Sequence, residues 1–169
     1  MTSQGSRHDF STSRRLESST GTRREFIADM HRILVGVDAS PRAPQVIAAA
    51  VDLAQRLGAK LRLLRAVGLP AELPSNVWAM PPSQVIETFL STARAELNDL
   101  AARVPPELLE SATVQVGVPW DAICSSAREY DADLIVVGSH GYGLIDRIIG
   151  TTASRVVFHA DRSVLVVRF

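Results

Sequence analysis

The chain is poor in the residues that several common designs require. Cys124 is its only cysteine, which excludes an intramolecular disulfide framework and an all-cysteine zinc site. Lys60 is its only lysine, and Leu61 follows it, so no Gly-Lys-Ser/Thr phosphate loop exists. No surplus of either charge is present: 18 Lys and Arg stand against 18 Asp and Glu. Neutrality argues against a dedicated nucleic-acid binder, which carries a basic surplus, and against an acidic solvating chain. No apolar run approaches the roughly 20 residues of a membrane span. His8, His31, His140 and His159 are scattered without metal-ligand spacing, so no protein-only metal site is expected.

What is present divides in two. Residues 1–29 are rich in Ser, Thr, Gly and Arg, with few apolar positions and no sustained period. Such a segment buries too little surface to offset its ordering entropy, and a disordered tail is expected there. Translation starting at Met30 is a second reading. A transit peptide is a third, against which Asp9 and Glu17 count. The tail holds five Arg and four acids, leaving 13 basic and 14 acidic groups in residues 30–169, so both parts are near neutral.

From His31 onward the pattern becomes regular, and residues 30–169 are expected to form one domain. Ile33–Asp38 (ILVGVD) is a short apolar run that reads as a strand buried on both faces. Ser40 and Pro41 read as the cap and first-turn proline of a helix with Val46, Ile47, Ala50, Leu53, Ala54 and Leu57 on one face, stopped at Gly58. Leu61–Val67 is a second strand, and the prolines of residues 68–82 mark a loop. A second helix opens at Ser83 and is ended by Pro105-Pro106. Ala112–Val118 reads as a third strand, Trp120–Tyr130 as a third helix and Leu134–Val137 as a fourth strand. A fourth helix carries Ala153, Val156 and Val157, and Val164–Phe169 is the last strand. Strands alternating with helices imply an α/β fold with an open, doubly wound, five-stranded parallel sheet. In such sheets ligands sit at the carboxyl ends of the strands, where strand order reverses. The first and fourth strands are expected to flank that crevice.

Two features meet there. Asp38 ends the first strand; its carboxylate either accepts hydrogen bonds from a ribose or adenine, or caps the following helix. Gly138-Ser139-His140-Gly141-Tyr142-Gly143 follows the fourth strand, and Gly150-Thr151-Thr152 opens the next helix. Glycines let backbone approach an anion closely, and a helix N-terminus offers free N–H groups and the positive end of a dipole. His140 lies among the glycines, but no carboxylate stands beside it to make an acid–base pair. Arg147 either reaches a phosphate or lies on a solvated helix face. Cys124 is expected to be buried, and Trp78 and Trp120 to pack rather than stack on a base. The apolar last strand is a sheet edge, which pairing with a second copy would cover.

Ile33–Ser40 (ILVGVDAS), Gly117–Pro119, Ala132–Gly141 (ADLIVVGSHG), Gly150-Thr151-Thr152 and Val164–Arg168 (VLVVR) resemble the universal stress protein family over residues 31–169. The resemblance implies a sheet of order 3-2-1-4-5, of the adenine nucleotide alpha hydrolase-like type. It also implies ATP as ligand, with Mg²⁺ accompanying it, and a homodimer through Val164–Phe169. Carried over by motif, Val37, Asp38 and Ala66 would line the nucleoside side. Val137, Gly138, Gly141, Gly150, Thr151 and Thr152 would hold ribose and phosphates, with His140 and Arg147 nearby. ATP-binding members carry Gly, two residues, Gly, nine residues, Gly, then Ser or Thr; here eight residues separate Gly141 from Gly150. That deletion is either absorbed by the loop or turns the following helix by about 100°. The function so implied is that of a cytoplasmic, nucleotide-dependent regulator of the stress response, without a dedicated catalytic base. A dimeric interaction module that has lost nucleotide binding is the alternative. An adenylate-forming enzyme of the same architecture is a third reading, which would need a second domain or substrate site.

Overall fold

The computed structural model describes residues 30–68, 82–139 and 150–168. Among the described residues five strands and four helices alternate: β1 (Arg32–Val37), α1 (Ala43–Leu57), β2 (Lys60–Val67), α2 (Pro82–Ala101), β3 (Leu109–Val116), α3 (Pro119–Glu129), β4 (Leu134–Gly138), α4 (Thr151–His159) and β5 (Ser163–Val167). All pairings are parallel, in the order β3-β2-β1-β4-β5.

The apolar runs of the central strands follow from this layering. Successive residues of a strand face opposite sides of the sheet. Ile33, Val35, Leu61, Leu63 and Val136 thus enter one core beneath α1 and α2. Leu34, Leu64, Ile135 and Val137 enter another beneath α3 and α4. A strand covered on both faces has no position left for a polar side chain. Cys124 is buried in the second core as a small apolar side chain, and burial raises its thiol pKa above the usual value.

Several boundaries differ from the sequence reading, each for a local reason. Ser40 is not the cap of α1 and Pro41 is not in its first turn. The Ser40 N–H donates to Asp38 Oδ1 at 3.0 Å, and the Ala43 N–H donates to the Ser40 carbonyl at 3.1 Å. A turn therefore intervenes, Arg42 becomes the cap residue and Pro44 supplies the first-turn proline. Gly58 does stop the helix, in the left-handed conformation at φ 66°, with its N–H on the Ala54 carbonyl. Helix α2 ends at Ala101, ahead of the two prolines, in a tight turn that buries Val104. Strand β3 begins three residues early because pairing with β2 starts at Leu61 and Leu109. It ends at Val116: the Gly117 N–H makes the last bond of the pairing, to the Val67 carbonyl, and Gly117 then turns at φ 154°. Val118 therefore stands outside the strand, exposed, as the cap residue of α3. Helix α4 buries Ala153 and Val156 but leaves Val157 52% exposed. Strand β5 runs Ser163–Val167; Trp78 and Phe169 lie outside the described residues.

Candidate nucleotide cleft

Strand order reverses between β1 and β4. Helix α1 leaves β1 towards β2, whereas α4 leaves β4 towards β5. The two connections diverge and open a cleft of about 410 Å³ at the carboxyl ends of the strands. Val37 and Asp38 line it from β1, Ala66 from β2, and Val137 and Gly138 from β4. Gly150, Thr151 and Thr152 line it from the start of α4. His140, Gly141 and Arg147, the other residues expected at this site, lie outside the described residues.

The walls also hold residues that the sequence reading did not assign to the site. Val46 comes from α1, and Pro119 and Ile123 from α3. The packing of these helices beside β1 brings them to the cleft. Gly36 could have been found, because it is the single residue without a side chain inside an apolar strand. A Cβ there would lie 2.8 Å from Ile123 Cδ1 and 3.1 Å from Val137 Cγ1. Glycine lets α3 settle directly on β1, and so sets one wall of the cleft.

The polar groups are few and separated. Asp38 is exposed and is the one carboxylate among the described lining residues. One of its oxygens holds the Ser40 N–H, so it fastens the β1–α1 turn and keeps acceptor capacity for a ligand. The capping reading of Asp38 applies in part: what it caps is the turn preceding the helix. Across the cleft, α4 begins at Gly150 with no side-chain hydrogen bond capping it. Helix geometry leaves the N–H groups of the first turn without intrahelical partners. The Gly150 N–H is taken by the Ser139 carbonyl at 2.6 Å, while the Ser139 N–H donates to Val167 at 2.8 Å. The next N–H groups, on Thr151 and Thr152, belong to residues that line the cleft, as do the two threonine hydroxyls. No Lys, Arg or His among the described residues lines it.

Chemically, this arrangement can place a hydroxyl-bearing ring beside Asp38 and an anion at the N-terminus of α4, with an apolar floor between. Trp120 does not reach the cleft lining; it stacks on His159 with ring centroids 4.4 Å apart. Among the described residues no group of three or more His, Cys, Asp or Glu is placed to hold a metal ion. No helix of the described residues is long and apolar enough to cross a membrane.

Comparison with known proteins agrees with this geometry. Residues 30–168 match the universal stress protein family. Universal stress protein A homolog 1 of Coxiella burnetii is 30% identical over 138 residues, which cover 80% of this chain and 94% of that protein. Among solved structures, a universal stress protein in complex with cAMP is 26% identical, with a TM-score of 0.54, over 82% of this chain and 97% of that one. The universal stress protein from Archaeoglobus fulgidus in complex with dAMP is 25% identical, with a TM-score of 0.57, over 82% and 98% of the two chains.

Proposed function

This chain belongs to the universal stress protein family, and from that premise we propose that it is a cytoplasmic, ATP-binding regulator of the stress response. In this reading it works through its nucleotide-bound state, with Mg²⁺ entering alongside the phosphates. The observation that carries the reading is the pairing of Asp38 with the uncapped start of α4 on opposite walls of one cleft. Asp38 would accept from the nucleoside. The first-turn N–H groups and hydroxyls of Thr151 and Thr152 would receive phosphate oxygens, helped by the helix dipole. Because the whole chain is neutral, this local field and not a global one supplies the attraction. Gly138, Gly141, His140 and Arg147 would complete the phosphate side. Two relatives described as complexes with cAMP and dAMP support an adenine nucleotide as the ligand class.

The short spacing between Gly141 and Gly150 is compatible with this. The 2.6 Å bond from Gly150 to Ser139 ties together the two ends of residues 140–149. With that bond in place, Thr151 and Thr152 line the cleft wall. Titration with ATP and Mg²⁺ is the test. Saturable binding below millimolar ATP is expected, and mass spectrometry of the purified protein should find a co-purifying adenine nucleotide. No saturation at millimolar ATP would leave the interaction-module reading in its place.

Both readings include a homodimer through the C-terminal strand, and one observation favours β5 over the other sheet edge. Strand β3 pairs with β2 through a register irregularity next to Leu109 and carries Glu110 there. Bulges and charges protect an edge against further pairing. Strand β5 (SVLVV) has neither, and its register with β4 is unbroken.

A further inference from the structure

A second concavity, of about 370 Å³, lies on the flank of α1. Pro44, Ile47, Ala48 and Val51 line it at helical spacing, and Asp52 and Gln55 continue the stripe towards the end of the helix. Arg103, in the turn after α2, lines it from the other side. Among the described residues it shares no lining residue with the nucleotide cleft. Ile47 is buried, Val51 half-buried and Ala48 exposed, so this groove has an apolar floor that opens to solvent.

The chain itself brings an apolar segment to the mouth of this groove. Residues 1–29 lie outside the described residues, and the described domain opens at Met30. Met30 is buried in the core beneath α1 and α2, as is Val104, the neighbour of Arg103. The Lys60 N–H donates to the His31 carbonyl at 2.8 Å, so the point of entry stands beside the turn that follows α1. Gln55, at the near end of the groove, lies within one helical turn of the stop at Gly58. Phe26, Ile27 and Ala28 are the only three consecutive apolar residues of 1–29. At about 3.3 Å per extended residue, Phe26 reaches roughly 13 Å from Met30. The stripe from Gln55 to Pro44 is about 16 Å long at 1.5 Å per residue, the length of about five extended residues.

Charge agrees with length. Arg23, Arg24 and Glu25 precede Phe26, and the groove carries Asp52 and Arg103. Asp52 pairs with Arg56 at 3.0 Å, an exposed contact within one helix that costs little to exchange. A segment tethered this closely is present at an effective concentration of roughly millimolar, which favours it over a separate partner.

We infer that the α1 flank is the docking surface of the chain's own N-terminal segment, with Phe26 and Ile27 seated on Ala48 and Val51 and an arginine of Arg23-Arg24 beside Asp52. The segment then straps α1, the helix whose Val46 lines the cleft.

Photo-crosslinking of the full chain, with benzoylphenylalanine in place of Phe26, tests it without any nucleotide. Irradiation is expected to join position 26 to residues 44–55 of the same molecule, as mapped by mass spectrometry of the digested monomer. Ala48→Glu changes an exposed groove residue, so an unaltered circular dichroism spectrum is expected. The crosslinking yield should fall about fivefold or more in this variant, because Phe26 can no longer dock without desolvating a charge. Gln45→Glu, exposed on α1 but outside the groove, should leave the yield unchanged. Crosslinks to β5 or to a second copy, no crosslink at all, or an Ala48→Glu yield equal to that of the unsubstituted groove would each overturn the proposal.

Discussion

Gly36→Ala probes the packing that forms one wall of the cleft. A Cβ at this position would meet Ile123 Cδ1 at 2.8 Å, Val137 Cγ1 at 3.1 Å and Ile123 Cγ1 at 3.2 Å. Carbon atoms rest about 3.5–4.0 Å apart, so all three contacts are shorter than the favourable range. Relief by motion is restricted, because Ile123 is 5% exposed and Val137 3%. Overpacking of this kind costs about 1–3 kcal/mol. Alanine also restricts the unfolded chain, which returns about 0.4–1 kcal/mol. The net expectation is a loss of about 1–2 kcal/mol, and Gly36→Val should lose more. Urea unfolding followed by circular dichroism would read this as a lower midpoint with an unchanged slope. Ile123→Val removes the Cδ1 methyl that makes the closest contact. The double variant Gly36→Ala/Ile123→Val should therefore be more stable than the two single losses predict, by about 1 kcal/mol. A Gly36→Ala protein as stable as the wild type, or additive effects in the cycle, would refute the claim that glycine is present to admit α3.

Three further outcomes are expected. Replacing Thr151 and Thr152 together by valine should weaken ATP binding about tenfold, roughly 1.4 kcal/mol, by calorimetry, with the fold unchanged; undiminished affinity would place the phosphates elsewhere. Burial first, and then the hydrogen bond to Glu110, hold the Tyr130 phenol well above its usual pKa. The folded state then keeps this proton more tightly than the unfolded one, so the stability it contributes is complete below about pH 10 and is lost as pH rises beyond that. Tyr130→Phe should cost about 1 kcal/mol at neutral pH and flatten the alkaline decline, as read by urea unfolding at pH 8 and pH 11. Cys124, 2% exposed and with its pKa raised by burial, should react with a disulfide reagent at pH 8 only once the chain is unfolded; rapid reaction of the folded protein would contradict the buried position.

The layered fold was legible because its signal is local. Runs such as ILVGV and LIVVG have no polar residue to present to water, and helices with apolar stripes separate them. Errors in the reading gathered at element ends, where long-range partners decide. Ser40 looks like a helix cap until Asp38 takes its N–H. Val118 continues the valine alternation of β3, yet the turn at Gly117, φ 154°, has already ended the strand. Val157 fits a helical stripe with Ala153 and Val156, yet it stands 52% exposed.

Glycine and threonine at residues 138 and 150–152, and the carboxylate after β1, were visible as chemistry in the order of the residues. That order also determined the alternation of strand and helix and the family to which the chain belongs. The tertiary structure decided what those groups face. Val46, Pro119 and Ile123 became walls of the cleft because α1 and α3 pack beside β1, across contacts that no local pattern encodes. The Ser139 bonds to Gly150 and Val167 join residues far apart in the chain, and they determine where α4 starts its helical turn. Local propensity specifies which segments form elements; only the packing of distant segments specifies which donors remain for a ligand and which apolar side chains remain exposed.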